Sequence, residues 1–232
     1  MKRLLILLAF ISSYGFSLFS SEGRAIFVLF DTSGSTKEDR NFYWKVFKKS
    51  ILADIRRGDV IGLGEITSNS LSSCVVEAEF AYGWNENPFI VKKKQEEAKR
   101  TLRQKAKEFL FGNKEARSTD IFNAAYIAEE FFKDHPQAKK ILVLMSDMVQ
   151  TLDYNFNRRK FFSQEEINEI IDRERVKKGL PDLRGVEVYV IGARSSDPTK
   201  VFRLKRFWAA YFSKCGASLR WRTSRQESFK FD

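Results

Sequence analysis

Short, nearly continuous apolar runs alternate along this chain with segments of helical periodicity. Ala25–Phe30 (AIFVLF), the run within KILVLMSD and the run within GVEVYVIGA are bounded by turn residues. Runs of this kind predict central parallel strands covered on both faces. VIGLGEI reads as a second strand and CVVEAEFAYG as a third, with TSNSLSS as a hairpin-type connection. Phe42, Val46, Ile51 and Ile55 recur at helical spacing in NFYWKVFKKSILADI. Asn87-Pro88 opens a long charged helix with Val91, Ala98, Leu102, Ala106 and Phe109 on one face. IFNAAYIAEEFFKD predicts a further amphipathic helix closed by His135-Pro136. SQEEINEIIDRERVKK begins with a serine followed three residues later by glutamate, the pattern of a capping box. KVFRLKRFWAAYFSKCGA forms a last helix ending at Gly216. SLRWRTS alternates polar and apolar positions, as a half-exposed edge strand does. The order β-α-β-β-α-α-β-α-β-α-β predicts a three-layer α/β/α architecture around an open, mostly parallel six-stranded sheet.

Composition changes this picture little. At 43% hydrophobic and 31% charged residues, the 232-residue chain is globular in character. Its net charge of +11 points either to an anionic partner or to a solvated basic surface. The beginning reads differently from the rest. Lys2 and Arg3 precede an apolar core, Leu4 to Ile11, and then small polar residues. That order matches a secretory signal peptide, and it predicts export to a periplasmic, cell-envelope or secreted location. Without an Ala-x-Ala site, an uncleaved N-terminal anchor stays open. The domain expectation is therefore 1–20 as signal peptide or anchor and 21–232 as one folded domain.

The candidate chemistry sits where the strands end. The first run leads into Asp31, Ser33 and Ser35, and KILVLMSD leads into Asp147. In open α/β sheets ligands bind outside the carboxyl ends of the strands, at the reversal of winding. Two acids facing one crevice repel unless a positive charge lies between them. Thr119, in RSTD, can add a third hydroxyl. Two carboxylates and three hydroxyls form a hard oxygen set suited to Mg²⁺ (or Mn²⁺), with no His or Cys nearby to favour zinc or copper.

Asp31-Thr32-Ser33-Gly34-Ser35 resembles the D-x-S-x-S motif of von Willebrand factor type A domains. Thr119 in STDIFNAA and Asp147 in LMSDM resemble the distal threonine and aspartate of that family's metal-ion-dependent adhesion site. The resemblance runs from about Ala25 to about Ser224. It implies a sheet of order 3-2-1-4-5-6 with the third strand antiparallel. It further implies a metal held by Asp31, Ser33, Ser35, Thr119 and Asp147, and a partner protein that supplies a Glu or Asp. One departure stands out: many members follow the last aspartate with glycine, and here Met148 follows. With Cys74 and Cys215 then at opposite sheet edges, the implied reading is two separate buried thiols, since bridging needs Cα atoms within about 7 Å.

The same residues admit competing readings. Asp31 and the two serines could instead cap a helix. A phosphatase of the haloacid dehalogenase type needs a second aspartate where Ser33 stands, and a dinucleotide site needs more glycines than Gly34. Two other functions remain as alternatives: a Mg²⁺-dependent hydrolase using the same acids, and a basic module for acidic polymers or membrane surfaces. Arg57-Gly58-Asp59 is read as a turn at the far end of the sheet, and His135 as a surface or capping residue. Trp208, Tyr211 and Phe212 are expected to face the sheet rather than nucleic acid. The basic, aromatic segment Asn157 to Glu166 is expected on the metal side, as an ordinary loop or as a contributor to partner choice.

Overall fold

The computed structural model describes residues 23–83, 85–112, 115–136, 138–158, 162–222 and 226–231. The expected leader, 1–20, lies outside the described residues. The organising strand is β1, Arg24–Asp31, buried along its whole length. It pairs in parallel with β2 (Val60–Ile66) on one side and β4 (Lys139–Met145) on the other. β3 (Val76–Glu79) runs antiparallel at the edge beside β2. β5 (Val186–Ile191) and β6 (Ser218–Arg222) extend the sheet beyond β4, giving the order β3-β2-β1-β4-β5-β6.

The two-residue period of a strand divides β1 between two cores. Ile26, Val28 and Phe30 face a layer formed by α1 (Arg40–Val46), its π-helical continuation Phe47–Leu52 and α2 (Pro88–Phe111). Ala25, Phe27 and Leu29 face a layer formed by α3 (Ile121–Asp134), α4 (Gln164–Lys178) and α5 (Pro198–Lys214). Phe27 stacks on Phe131 of α3 with ring centroids 4.7 Å apart. Gly62 on β2 makes that contact possible, because a Cβ there would lie 2.6 Å from the Phe131 ring. Trp208, Tyr211 and Phe212 of α5 are buried in the same core, as their spacing predicted.

The expected helix ends are present. Asn87 accepts from the Phe89 amide at the start of α2, and Ser163 and Glu166 form the reciprocal capping box of α4. Gly58 turns the chain at φ +89°, and Asp59 is bonded within the protein at the end of the sheet opposite Asp31. Three expectations change. The helix after β1 loosens into the π-helical segment instead of continuing regularly to Ile55. The third strand is only four residues long, and a 3₁₀ turn, Ser70–Ser72, lies in the connection before it. Cys74 is exposed, not buried, because it precedes this short edge strand; Cys215 is buried at the end of α5. Among the described residues no helix is long and apolar enough to cross a membrane.

Candidate metal centre

β1 delivers Asp31 to the carboxyl edge of the sheet with no exposed surface. Its carboxylate is held from two directions. Oδ1 accepts from the Ser33 amide at 2.9 Å, and Oδ2 accepts from the Ser146 hydroxyl at 2.6 Å. The Ser33 and Ser35 hydroxyls lie 3.2 Å apart. Behind them Thr36 donates to the Asp31 and Ser33 carbonyls, and the buried Arg40 guanidinium donates to the Thr32 carbonyl at 2.9 Å. The loop is thus shaped by its own backbone contacts. Neither Ser33 nor Asp39 makes the side-chain bond of a helix cap.

Three loops distant in sequence are tied into a closed ring. The Ala116 amide donates to the Thr32 carbonyl at 3.1 Å, joining the loop before α3 to the loop after β1. Thr119 donates its amide to Thr151 Oγ1 at 2.8 Å and accepts from the Thr151 and Leu152 amides, joining that loop to the one after β4. Ser146 closes the ring on Asp31 and also accepts from the Met148 amide at 2.9 Å. Gln150 adds a further tie by accepting from the Ile121 amide at the start of α3. Ser33, Ser35 and Thr119 line one cleft of about 460 Å³ together with Arg117, Thr151 and Asn157. Thr119 itself is buried.

Met148 adopts φ +62°, the left-handed conformation in which glycine is favoured. Its carbonyl accepts from the Trp208 indole at 2.8 Å and its side chain is fully buried. Tertiary packing therefore holds the conformation that glycine adopts without a steric penalty. The turn also directs Asp147 Oδ1 onto the Val149 amide at 3.0 Å.

The electrostatics of the two acids are unsatisfied. Burial, reinforced by the charge of Asp147, pushes the Asp31 carboxyl up to about 7 despite its bonds to Ser146 and Ser33. Burial also raises the Asp147 carboxyl, opposed by the Val149 amide, the Ser35 hydroxyl and the charge of Lys200. None of the ion pairs among the described residues involves either acid. Nor do three His, Cys, Asp or Glu side chains cluster among these residues as a metal-binding group. An ion here would rest on two carboxylates and neutral oxygens. That donor chemistry fits a hard divalent cation, whose charge would relieve the repulsion.

Several supporting residues carry no signal in the linear sequence. Ser146 precedes Asp147 directly, yet only the fold shows that it serves Asp31, 115 positions away. Arg40 and Trp208 likewise act through tertiary contacts. Asn157, at the start of the basic segment, reaches the cleft and accepts from Lys200 Nζ at 2.9 Å. Arg159–Phe161 of that segment lie outside the described residues.

No protein-family model matches the sequence, and no curated protein matches it significantly. Solved structures with a similar fold include the pilus adhesin SpaC from Lactobacillus rhamnosus GG. That likeness has 11% identity and a TM-score of 0.50, over 91% of this chain and 28% of the adhesin. A von Willebrand factor type A protein from Catenulispora acidiphila matches at 13% identity and TM-score 0.45, over 88% of this chain and 39% of that one. An aerotolerance-related membrane protein from Bacteroides fragilis matches at 11% identity and TM-score 0.44, over 88% and 93% respectively. This chain spans well under two thirds of the first two proteins. These likenesses concern the fold alone. The chain has the strand order and the antiparallel β3 that the von Willebrand factor type A fold implies.

Proposed function

We propose that this protein is an exported protein-interaction module. It holds Mg²⁺ (or Mn²⁺) with Asp31, Ser33, Ser35, Thr119 and Asp147, and it takes a Glu or Asp side chain from a partner protein at that ion. The observation that carries this reading is the closed ring of three loops. It brings Ser33, Ser35 and Thr119 to one strand-end cleft and, through Ser146, ties the buried Asp31 to the loop that carries the half-buried, like-charged Asp147. The bound ion would supply the positive charge that an incoming carboxylate needs.

The protein's own residues do the rest. The Ser33 amide and Ser146 hydroxyl orient Asp31, and the Val149 amide orients Asp147. Neutral hydroxyls complete the set without cancelling the charge of the ion. Arg117 on the cleft wall and Lys200 beside Asn157 favour an acidic approach. Recognition without turnover is part of the proposal. The single histidine, His135, sits at the end of α3, 3.5 Å from Glu77, at the other end of the sheet. Export rests on the order of charged, apolar and small polar residues in Met1 to Ser20. An adhesin among the proteins of similar fold is in keeping with it.

The test is calorimetric titration of Mg²⁺ into EDTA-stripped protein, followed by capture of partners from native envelope with and without EDTA. Saturable Mg²⁺ binding, lost in Asp31→Asn, and capture abolished by EDTA are expected. Capture that survives EDTA but collapses with salt would instead identify a basic polymer-binding module. Mg²⁺-dependent phosphatase or nuclease turnover lost in Asp31→Ala would overturn the proposal in favour of the hydrolase.

A further inference from the structure

Tyr43 is the one fully buried tyrosine beside the strand ends whose hydroxyl bonds to nothing among the described residues. An unpartnered buried hydroxyl is costly, and such groups are usually satisfied by an ordered water or a functional partner. Its position is specific. The phenol projects from α1 into the space left by Gly192, just beyond β5, where a Cβ would lie 2.5 Å from Tyr43 Oη. Gly192 follows Ile191, whose carbonyl accepts from the Ser146 amide at 3.0 Å, and Ser146 in turn bonds Asp31. The hydroxyl therefore lies beside the strand-end cluster. The phenol is held well above its ordinary pKa by burial first and then by the charges of Asp31 and Asp147, so it remains a donor. A Cβ on Gly192 would intrude on this space, and the glycine's φ of +95° keeps other side chains out.

We infer that Tyr43 is a positioning residue of the proposed cation site: through one buried water its hydroxyl donates to the carboxylates of Asp31 and Asp147, holding them oriented for the ion. Water mediation follows from the lack of any direct partner within hydrogen-bonding distance. This inference rests on the metal-binding reading above.

The experiment compares wild type, Tyr43→Phe and Tyr189→Phe by Mg²⁺ calorimetry and by melting in EDTA. Tyr189 is an equally buried control, whose hydroxyl donates to Glu187 elsewhere on β5. Tyr43→Phe keeps the ring, so the fold is retained. The expected result is Mg²⁺ affinity weakened about three- to tenfold in Tyr43→Phe, the size of one lost hydrogen bond, and unchanged in Tyr189→Phe. Unchanged affinity in Tyr43→Phe, or equal weakening in both variants, would overturn the inference while leaving the metal reading intact. Absence of Mg²⁺ binding by the wild-type protein would overturn both.

Discussion

Acids gather at both ends of β1, and the fold treats them in opposite ways. At the strand's start the Arg24 guanidinium lies between Asp54 and Asp59, with Nη1 2.6 Å from Asp54 and Nη2 2.6 Å from Asp59. The Arg24 amide and Nε also donate to Asp59, which is almost fully buried. Burial works against both Arg24 and Asp54, yet their mutual bonds win: Arg24 is raised and Asp54 lowered from their ordinary values. At the other end Asp31 and Asp147 have hydroxyl and amide donors but, among the described residues, no bonded cation, and both carboxyls are raised. One strand thus offers an internal control. Where the fold supplies the counter-charge, an acid pair, Asp59 buried and Asp54 half-buried, is a structural clamp. Where it supplies only neutral donors, such a pair is prepared for a charge from outside.

The sharpest way to break this comparison is to remove the internal cation. Arg24→Met leaves Asp59 buried and unpaired, and about 3–5 kcal/mol of stability should be lost in urea unfolding. Mg²⁺ should not restore it. A loss below about 1 kcal/mol would mean that the clamp is not electrostatic. Next in size is the response of the open end. At a hundredfold excess over its dissociation constant, Mg²⁺ should add about 2.7 kcal/mol, or about 5–10 °C in melting temperature. Asp31→Asn should abolish that gain, whereas Arg24→Met should keep it.

Ser146→Ala should cost about 1–3 kcal/mol in EDTA, because Asp31 Oδ2 and the Met148 amide both lose their partner. It should also weaken Mg²⁺ binding. A destabilised variant with wild-type Mg²⁺ affinity would separate the loop's architecture from the ion. The signal spread over the widest range is in pH. Asp31 titrates near 7 in the folded state and near 3.8 when unfolded, so between these values the folded protein binds more protons. Metal-free protein should therefore lose stability as pH rises from about 4 to about 7, by at most about 1.4 kcal/mol per pH unit for one proton. Asp54 has the opposite sign: its contribution is present above its unfolded value and is lost as pH falls through its lowered folded one. Melting in EDTA across this range, with Asp31→Asn as reference, separates the two ends. A flat Asp31-dependent profile would contradict the contrast.

Much of this architecture is legible in the linear chain because its causes are local. The apolar runs that became β1, β4 and β5 are buried on both faces, and the caps at Asn87 and Ser163 act within three residues. The D-x-S-x-S loop, Thr119 and Asp147 can be named from residue type and order. Less legible is whatever depends on a neighbour's shape. The π-helical segment breaks the simple spacing of Phe42 to Ile55. Cys74 reads as a strand residue, but its strand begins later and at the sheet edge, where one side meets water. Met148 reads as a departure from a glycine position, yet the Trp208 indole holds its carbonyl in place from 60 residues away.

By itself, then, the sequence determined which residues could supply strands, helix caps and hard oxygen donors, since these follow from side-chain chemistry and short-range periodicity. Only the tertiary structure decided which acids meet which partners. It set Arg24 between one pair, closed three loops around the other through Ser146, Thr119 and Ala116, and aimed the Tyr43 hydroxyl at the space beside Gly192. The reason is physical. A charge's environment is set by what is packed within a few ångströms of it, and those neighbours come from parts of the chain that adjacency in sequence does not connect.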